Sequence, residues 1–311
     1  MARARKPKVG IWAGASPGKS KEISAGLRRL GELGFESVVP TKVRRNWTKA
    51  ESKARSFLAG TDADKVDSFV ELWQDPALTT LFLVRGGYGT QRLLPALEKR
   101  LRRPVDTKRV WGFSDITSLQ NWLWGRFGTP WVHSPMLSSP SFLKPSPQET
   151  RQWNAHLDPF REQEVMEHPL KITHRPKETR AKLRGPLLGG NLASFVSLLG
   201  TRFEPKPRRP YFFFIEEVEE YPRRIDRWLQ QLSASRFFAK CQGVVLGHLT
   251  HCGESREIVR LWAKEHGVLL VEGLKAGHEA PNFPVAMGID AELELQKNGV
   301  ARLGVPILPF E

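Results

Sequence analysis

The chain holds only two cysteines, Cys241 and Cys252, in 311 residues. So few thiols exclude a disulfide framework and point to a reducing, cytoplasmic setting. No apolar run reaches the roughly eighteen residues of a bilayer-spanning helix, so no membrane partner is expected. The opening Met1 to Lys8 is basic, but the apolar stretch behind it, Val9 to Ala13, is short and interrupted by glycine. It reads as a basic tail entering a first strand rather than as a signal peptide. Zinc-finger spacing, RNP-like aromatic motifs, a long basic arm and internal repeats are also missing. Lys and Arg outnumber Asp and Glu by 48 to 33, a net charge of +15, but in short scattered clusters such as Lys99 to Arg103 and Arg208-Arg209. That pattern fits a solvated surface, and nucleic acid is not the expected partner.

What is present is a soluble, globular composition, 40% hydrophobic and 26% charged. Lys8 to Ala13 predicts a buried strand, followed by a helix on Ile23, Leu27 and Leu30 and a strand over Phe35 to Val39. Thr61 is placed to cap a helix whose Val66, Phe69, Val70 and Trp73 fall on one face, with Pro76 barring its continuation. Leu81 to Val84 is apolar on both faces, as a central parallel strand would be. Alternating strands and helices imply a parallel α/β sheet whose working edge lies at the carboxyl ends of its strands. From about Leu137 to Arg184 this grammar lapses at Pro140, Pro145, Pro147, Pro159 and Pro169, so residues 141–184 read as a connector that could fold over the site. Beyond it, strands are expected at Tyr211 to Ile215, Val244 to Leu246 and Val268 to Val271. A helix runs on from Leu192, others lie at Ile225 to Leu232 and Ile258 to Trp262, and a final hairpin turns at Asn298-Gly299.

Three motifs compete for chemical attention. Ala13-Gly-Ala-Ser-Pro-Gly-Lys-Ser20 resembles a loosened P-loop, but alanine replaces its first glycine and Pro17 removes a backbone donor. Ser16-Pro-Gly-Lys19 matches S-x-x-K, yet Pro17-Gly18 opposes the helical turn that would join serine to lysine. His248-Leu-Thr-His251-Cys252 has ligand-like residue types without H-E-x-x-H or paired C-x-x-C, so no metal or cofactor is expected.

A distributed set is more informative. Trp111-Gly-Phe-Ser-Asp-Ile-Thr117 ends a short apolar strand and enters a helix carrying Ile116, Leu119 and Leu123. Ser114 therefore stands at a strand-to-helix corner, where a hydroxyl can project beside free backbone N–H groups. A helix N-cap would use the same residue. A nucleophilic serine needs a base and an acid to orient that base. Glu216 and Glu217 stand at the end of the Phe212 to Ile215 strand, and His278 lies in the irregular Gly277-His278-Glu279-Ala280-Pro281-Asn282 loop.

With these residues the chain resembles the LD-carboxypeptidases, a serine peptidase family that includes the microcin-C immunity proteins. The blocks, in order, are Gly14-Ala-Ser-Pro17, Arg85-Gly-Gly-Tyr-Gly89 with Arg92-Leu-Leu-Pro95, and Gly112-Phe-Ser-Asp-Ile-Thr117. His133-Ser-Pro-Met136, Gly189-Gly-Asn-Leu192 with Gly200-Thr201, Ile215-Glu-Glu217 with Ile225-Asp-Arg227, and Gly277-His278 follow. The resemblance implies Ser114 as nucleophile, Glu216 as acid and His278 as base, with oxyanion donors from the N–H of Asp115 and the Gly86-Gly87 turn. Arg85 and Tyr88 become candidate substrate contacts. It also implies an N-terminal doubly wound parallel-sheet domain (1–140) and a smaller C-terminal α/β domain (185–311), in a homodimer, with the site in the cleft between the domains. The expected activity is removal of a terminal D-alanine from a peptidoglycan tetrapeptide. The alternatives are cleavage of aminoacyl- or peptidyl-adenylate analogues, where Trp153 could stack on a base, and, more remotely, non-enzymatic polyanion binding. Serine at 134, where the family shows H-G-P, an unmatched connector and the high basic charge are departures.

Overall fold

A computed structural model describes residues 6–104, 108–157 and 164–308. The N-terminal tail before Lys6 and Pro159 of the expected connector lie outside the described residues.

The first unit runs β1 (Lys8–Trp12), α1 (Ser20–Glu32), β2 (Glu36–Val38), α2 (Thr41–Asn46), α3 (Asp62–Gln74), β3 (Thr80–Leu83) and α4 (Leu94–Arg100). It continues with β4 (Arg109–Trp111), α5 (Thr117–Phe127), β5 (Trp131–His133), α6 (Pro140–Leu143) and α7 (Pro147–Leu157). β2, β1, β3, β4 and β5 pair in parallel in that order. The apolar run Leu81 to Val84 is completely buried and β3 lies mid-sheet, as a strand apolar on both faces requires. Thr61 caps α3 by accepting from the Asp64 N–H at 3.1 Å. Gly128, at φ +73°, ends α5 in the left-handed conformation that glycine adopts without steric cost.

The second unit corrects the expectation of simply a smaller α/β domain, because its sheet closes into a barrel. β6 (Val165–His174), β7 (Lys182–Asn191), α8 (Leu192–Val196), β8 (Tyr211–Val218), α9 (Pro222–Ser233), β9 (Cys241–Thr250), α10 (Ser255–Glu265) and β10 (Leu270–Glu272) follow one another. After β11 (Val285–Met287), a hairpin of β12 (Asp290–Leu295) and β13 (Val300–Pro306) completes the described chain. Among the described residues the strands close into a barrel in the order β10-β6-β13-β12-β7-β8-β9. β7 to β10 pair in parallel through crossovers containing α8, α9 and α10, while β6, β12 and β13 close the ring with antiparallel ladders. Closure removes the edges that an open sheet of this size would expose.

Two features weld the units together. β11 leaves the barrel side of the chain and pairs antiparallel with β5, the outer strand of the parallel sheet. The segment expected as a connector is no free-standing flap: α7 buries Trp153, which stacks on Trp111 at 5.7 Å, and β6 is a full barrel strand.

Candidate active site

Ser114 follows β4, opens a 3-10 turn (Ser114–Ile116) and leads into α5. Its φ of +71° is disfavoured for a residue with a Cβ by about 1–2 kcal/mol, strain of the kind found where a side chain must be thrust out of a corner. A Cβ on Gly86 would lie 2.8 Å from the Ser114 Cβ and 2.9 Å from its hydroxyl, so glycine there lets the backbone press against the serine. The neighbouring turn is held from below. Ser16 Oγ donates to the Phe57 carbonyl at 2.7 Å and accepts from the Tyr88 N–H at 3.1 Å. The P-loop-like segment is thus occupied in bracing the Gly86–Tyr88 turn. Asp115 turns its carboxylate inward to the Thr90 N–H (2.9 Å) and hydroxyl (2.8 Å), where burial pushes its pKa up.

His278 Nε2 lies 3.1 Å from Ser114 Oγ, and its Nδ1 lies 2.6 Å from Glu216 Oε2. Residues separated by 164 and 62 positions therefore join one hydrogen-bonded chain. Glu216 is still within β8, inside the ladder rather than beyond its end, and is completely buried. His278 rides on residues 273–284, which cross from β10 in the barrel to β11 on the parallel sheet. That crossing carries the imidazole to the serine. The Asn282 side chain accepts from the Gly277 N–H at 3.2 Å, while the Asn282 N–H donates to buried Glu149 of α7 at 2.9 Å. From the other side, the Asn121 side chain of α5 exchanges hydrogen bonds with the Gly189 backbone of β7 at 2.9 and 3.1 Å.

The buried charges hold one another ionised. Burial by itself would raise the Glu216 pKa, but the charge and hydrogen bond of His278, with His133 nearby, bring it down to about 2. For His278, burial works downward, and the Glu216 charge and hydrogen bond outweigh it, leaving the pKa above its ordinary value. Glu217 is pushed up to about 7 by burial and by repulsion from Glu216. It nonetheless accepts from Asn191 Nδ2 (2.6 Å), the Ala193 N–H (2.8 Å) and the Val218 N–H (3.0 Å), which tie β8 to the start of α8.

A cavity of about 300 Å³ opens beside the serine, lined by Gly87, Tyr88, Ser114, Asp115, Asn191 and Glu217 among others. Tyr88 stands at its rim, 48% exposed and edge-on to Phe57. Arg85 directs one guanidinium nitrogen to the Pro17 carbonyl at 3.0 Å, which braces the same loop; among the described residues its other donors make no further hydrogen bond. Trp153, fixed in the aromatic core of the first unit at 2% exposure, has no face open to a nucleobase. His248 and His251 do not form a metal cluster with other ligand-type residues among the described residues. Glu149 carried no sequence signal, because a lone glutamate on a helix is ordinarily solvated. His133, which ends β5 against Glu216, was visible only as part of a motif block.

Residues 9–134 match the LD-carboxypeptidase N-terminal domain and residues 184–293 the LD-carboxypeptidase C-terminal domain. The murein tetrapeptide carboxypeptidase of Pseudomonas aeruginosa is 28% identical, over 92% of this chain and 93% of its own. The Microcin C7 self-immunity protein of Escherichia coli is more distant, at 21% over 94% and 92%. In three dimensions the fold is similar to that of the muramoyltetrapeptide carboxypeptidase from Oxalobacter formigenes. The TM-score is 0.77 at 21% identity, over 97% of this chain and 99% of that one. The two matched domains span most of the sequence, and the chain belongs to the LD-carboxypeptidase family.

Proposed function

We propose that this protein is a serine LD-carboxypeptidase that removes the terminal D-alanine from peptidoglycan tetrapeptides. The observation that carries the reading is the continuous chain from Ser114 through His278 to Glu216, opening on a polar cavity. His278 takes the hydroxyl proton as Ser114 attacks the carbonyl carbon. Glu216 keeps the imidazole oriented and stabilises the imidazolium. The tetrahedral oxyanion is received by the Asp115 N–H and by the backbone at Gly86 and Gly87. His278 then returns the proton to the departing D-alanine nitrogen, leaving an acyl-serine, and a water activated by the same histidine releases the shortened peptide. Tyr88 and the remaining donors of Arg85 are proposed contacts for the substrate, Arg85 for its free carboxylate.

The β2-β1-β3-β4-β5 order suits the doubly wound nucleophile-bearing domain expected over 1–140, with α6 and α7 packed onto its core and the barrel following from β6. A cytoplasmic homodimer acting on recycled wall fragments, without nucleic acid, is the setting this reading implies. Among the described residues no helix is long and apolar enough to cross a membrane. Incubation with a D-alanine-terminated tetrapeptide tests the proposal. The wild type should release D-alanine, and Ser114→Ala should lose on the order of 10⁴- to 10⁶-fold in kcat. Turnover of an aminoacyl-sulfamoyl adenosine in preference to the tetrapeptide would instead favour the microcin-type substrate.

A further inference from the structure

We propose that His133 is a positioning residue for the triad acid, its Nε2–H holding the second oxygen of Glu216. The inference rests on the functional reading above. His133 closes β5 and is completely buried, with Nε2 3.8 Å from Glu216 Oε1. Both ring nitrogens of His133 and Oε1 of Glu216 are buried, and none has a hydrogen-bond partner among the described residues. At 3.8 Å the bond is not formed, since N–H···O bonds close at about 2.7–3.2 Å. A desolvated donor nevertheless faces a desolvated carboxylate oxygen. Contacts of this kind in a free enzyme shorten when the transition state draws on them.

The surroundings leave the imidazole little else to do. The Phe214 ring meets it edge-on at 5.0 Å and Phe113 lies at 5.4 Å, so it is confined between apolar walls. A further histidine near Glu216, His248 of β9, has its Nε2 4.0 Å from Glu279 Oε1. Glu217, next along β8, spends its oxygens on Asn191, Ala193 and Val218. Full burial also keeps His133 out of contact with substrate. Its influence passes through the carboxylate.

The physical need is specific. When His278 takes the serine proton, the imidazolium must find Glu216 ionised and its Oε2 aimed at Nδ1. With only Oε2 engaged, the carboxylate can swing about its terminal bond. A second donor on Oε1 stops that rotation and stabilises the anion.

The test compares His133→Phe, which keeps a flat ring between Phe113 and Phe214, with His133→Gln, which keeps an N–H donor. On a D-alanine-terminated tetrapeptide, His133→Phe should lose about 10- to 100-fold in kcat with KM within about two-fold. His133→Gln should recover most of that loss. A pure packing role predicts the reverse order, and a phenylalanine variant as active as the glutamine variant overturns the proposal. Turnover by Ser114→Ala, or none by the wild type, would count against the functional reading itself. A neutron structure of the wild type tests the positioning role without turnover or variants. A proton on His133 Nε2 directed at Glu216 is expected, and a proton on Nδ1 with bare Nε2 overturns the proposal.

Discussion

The proposed nucleophile and its two proposed partners are held by opposite strategies. Ser114 is prepared locally: Gly112 to Thr117 make a strand end, a strained corner and a helix start within a few residues, with the Gly86 turn pressed against it. Glu216 and His278 are prepared remotely. Glu216 is embedded in a barrel strand, and His278 hangs on a crossing segment whose ends are anchored in different sheets. The contrast implies that the serine is vulnerable to changes beside it and the histidine to changes far away, in struts that touch no substrate.

The strongest challenge to this contrast is Glu216→Gln. An amide cannot hold the imidazolium as a carboxylate does, and a loss of about 10⁴-fold in kcat is expected. In the wild type, the base works only when His278 is unprotonated. Its raised pKa therefore places the acidic limb of kcat/KM above the ordinary histidine value of 6.5, and the variant should move that limb to lower pH. Stability runs the other way for the two groups. The Glu216 pKa falls on folding from 4.5 to about 2, so its contribution is full above pH 4.5 and disappears as pH drops toward 2. The raised His278 pKa adds stability below 6.5 that is lost as pH rises through the folded value. Melting temperatures recorded from pH 2 to 9 should show both trends, and Glu216→Gln should flatten them.

Gly86→Ala tests the local side. Its methyl would meet Ser114 at 2.8 Å, displacing the hydroxyl, and a fall of about 100-fold in kcat is expected with little change in melting temperature. Unchanged kinetics would mean that the turn yields and the corner is less rigid than its geometry implies. Glu149→Ala tests the remote side: it strips the partner from the Asn282 N–H and loosens the loop behind His278. About a 10-fold loss in kcat, with KM nearly constant, is the expected result. Smallest in kinetics should be Asn121→Ala, which leaves the Gly189 N–H and carbonyl without their side-chain partner. Denaturant titration should register about 1–3 kcal/mol, and turnover should change only a few-fold.

The same division governs what could be read in advance. The parallel strands were legible because strands buried on both faces are written as continuous apolar runs, as in Leu81 to Val84. β6 hid because it alternates: Glu167, Pro169 and Lys171 face out, while His168 and Leu170 face in, so its buried side carries a histidine and its exposed side a proline. β7 hid behind glycine. Gly189 and Gly190, which resemble a loop in sequence, sit in a strand where a Cβ would lie 2.3 Å from the Phe214 carbonyl and 2.6 Å from Thr117. The candidate triad was legible by motif order, with Glu216 expected just beyond the strand in which it lies.

The linear chain by itself determined β1 to β4, α1, α3, α4 and α5, the corner at Ser114 and the residue types available for acid–base work, but not α2 or β5. These depend on periodicity, caps and turns spanning a few neighbours. Only the tertiary structure decided that the second sheet closes into a barrel, that α7 braces the His278 loop through Glu149, and that His133 faces the second oxygen of Glu216. Such pairings join positions scores of residues apart, and their partners are selected by shape and desolvation in the folded core, which no short window of sequence contains.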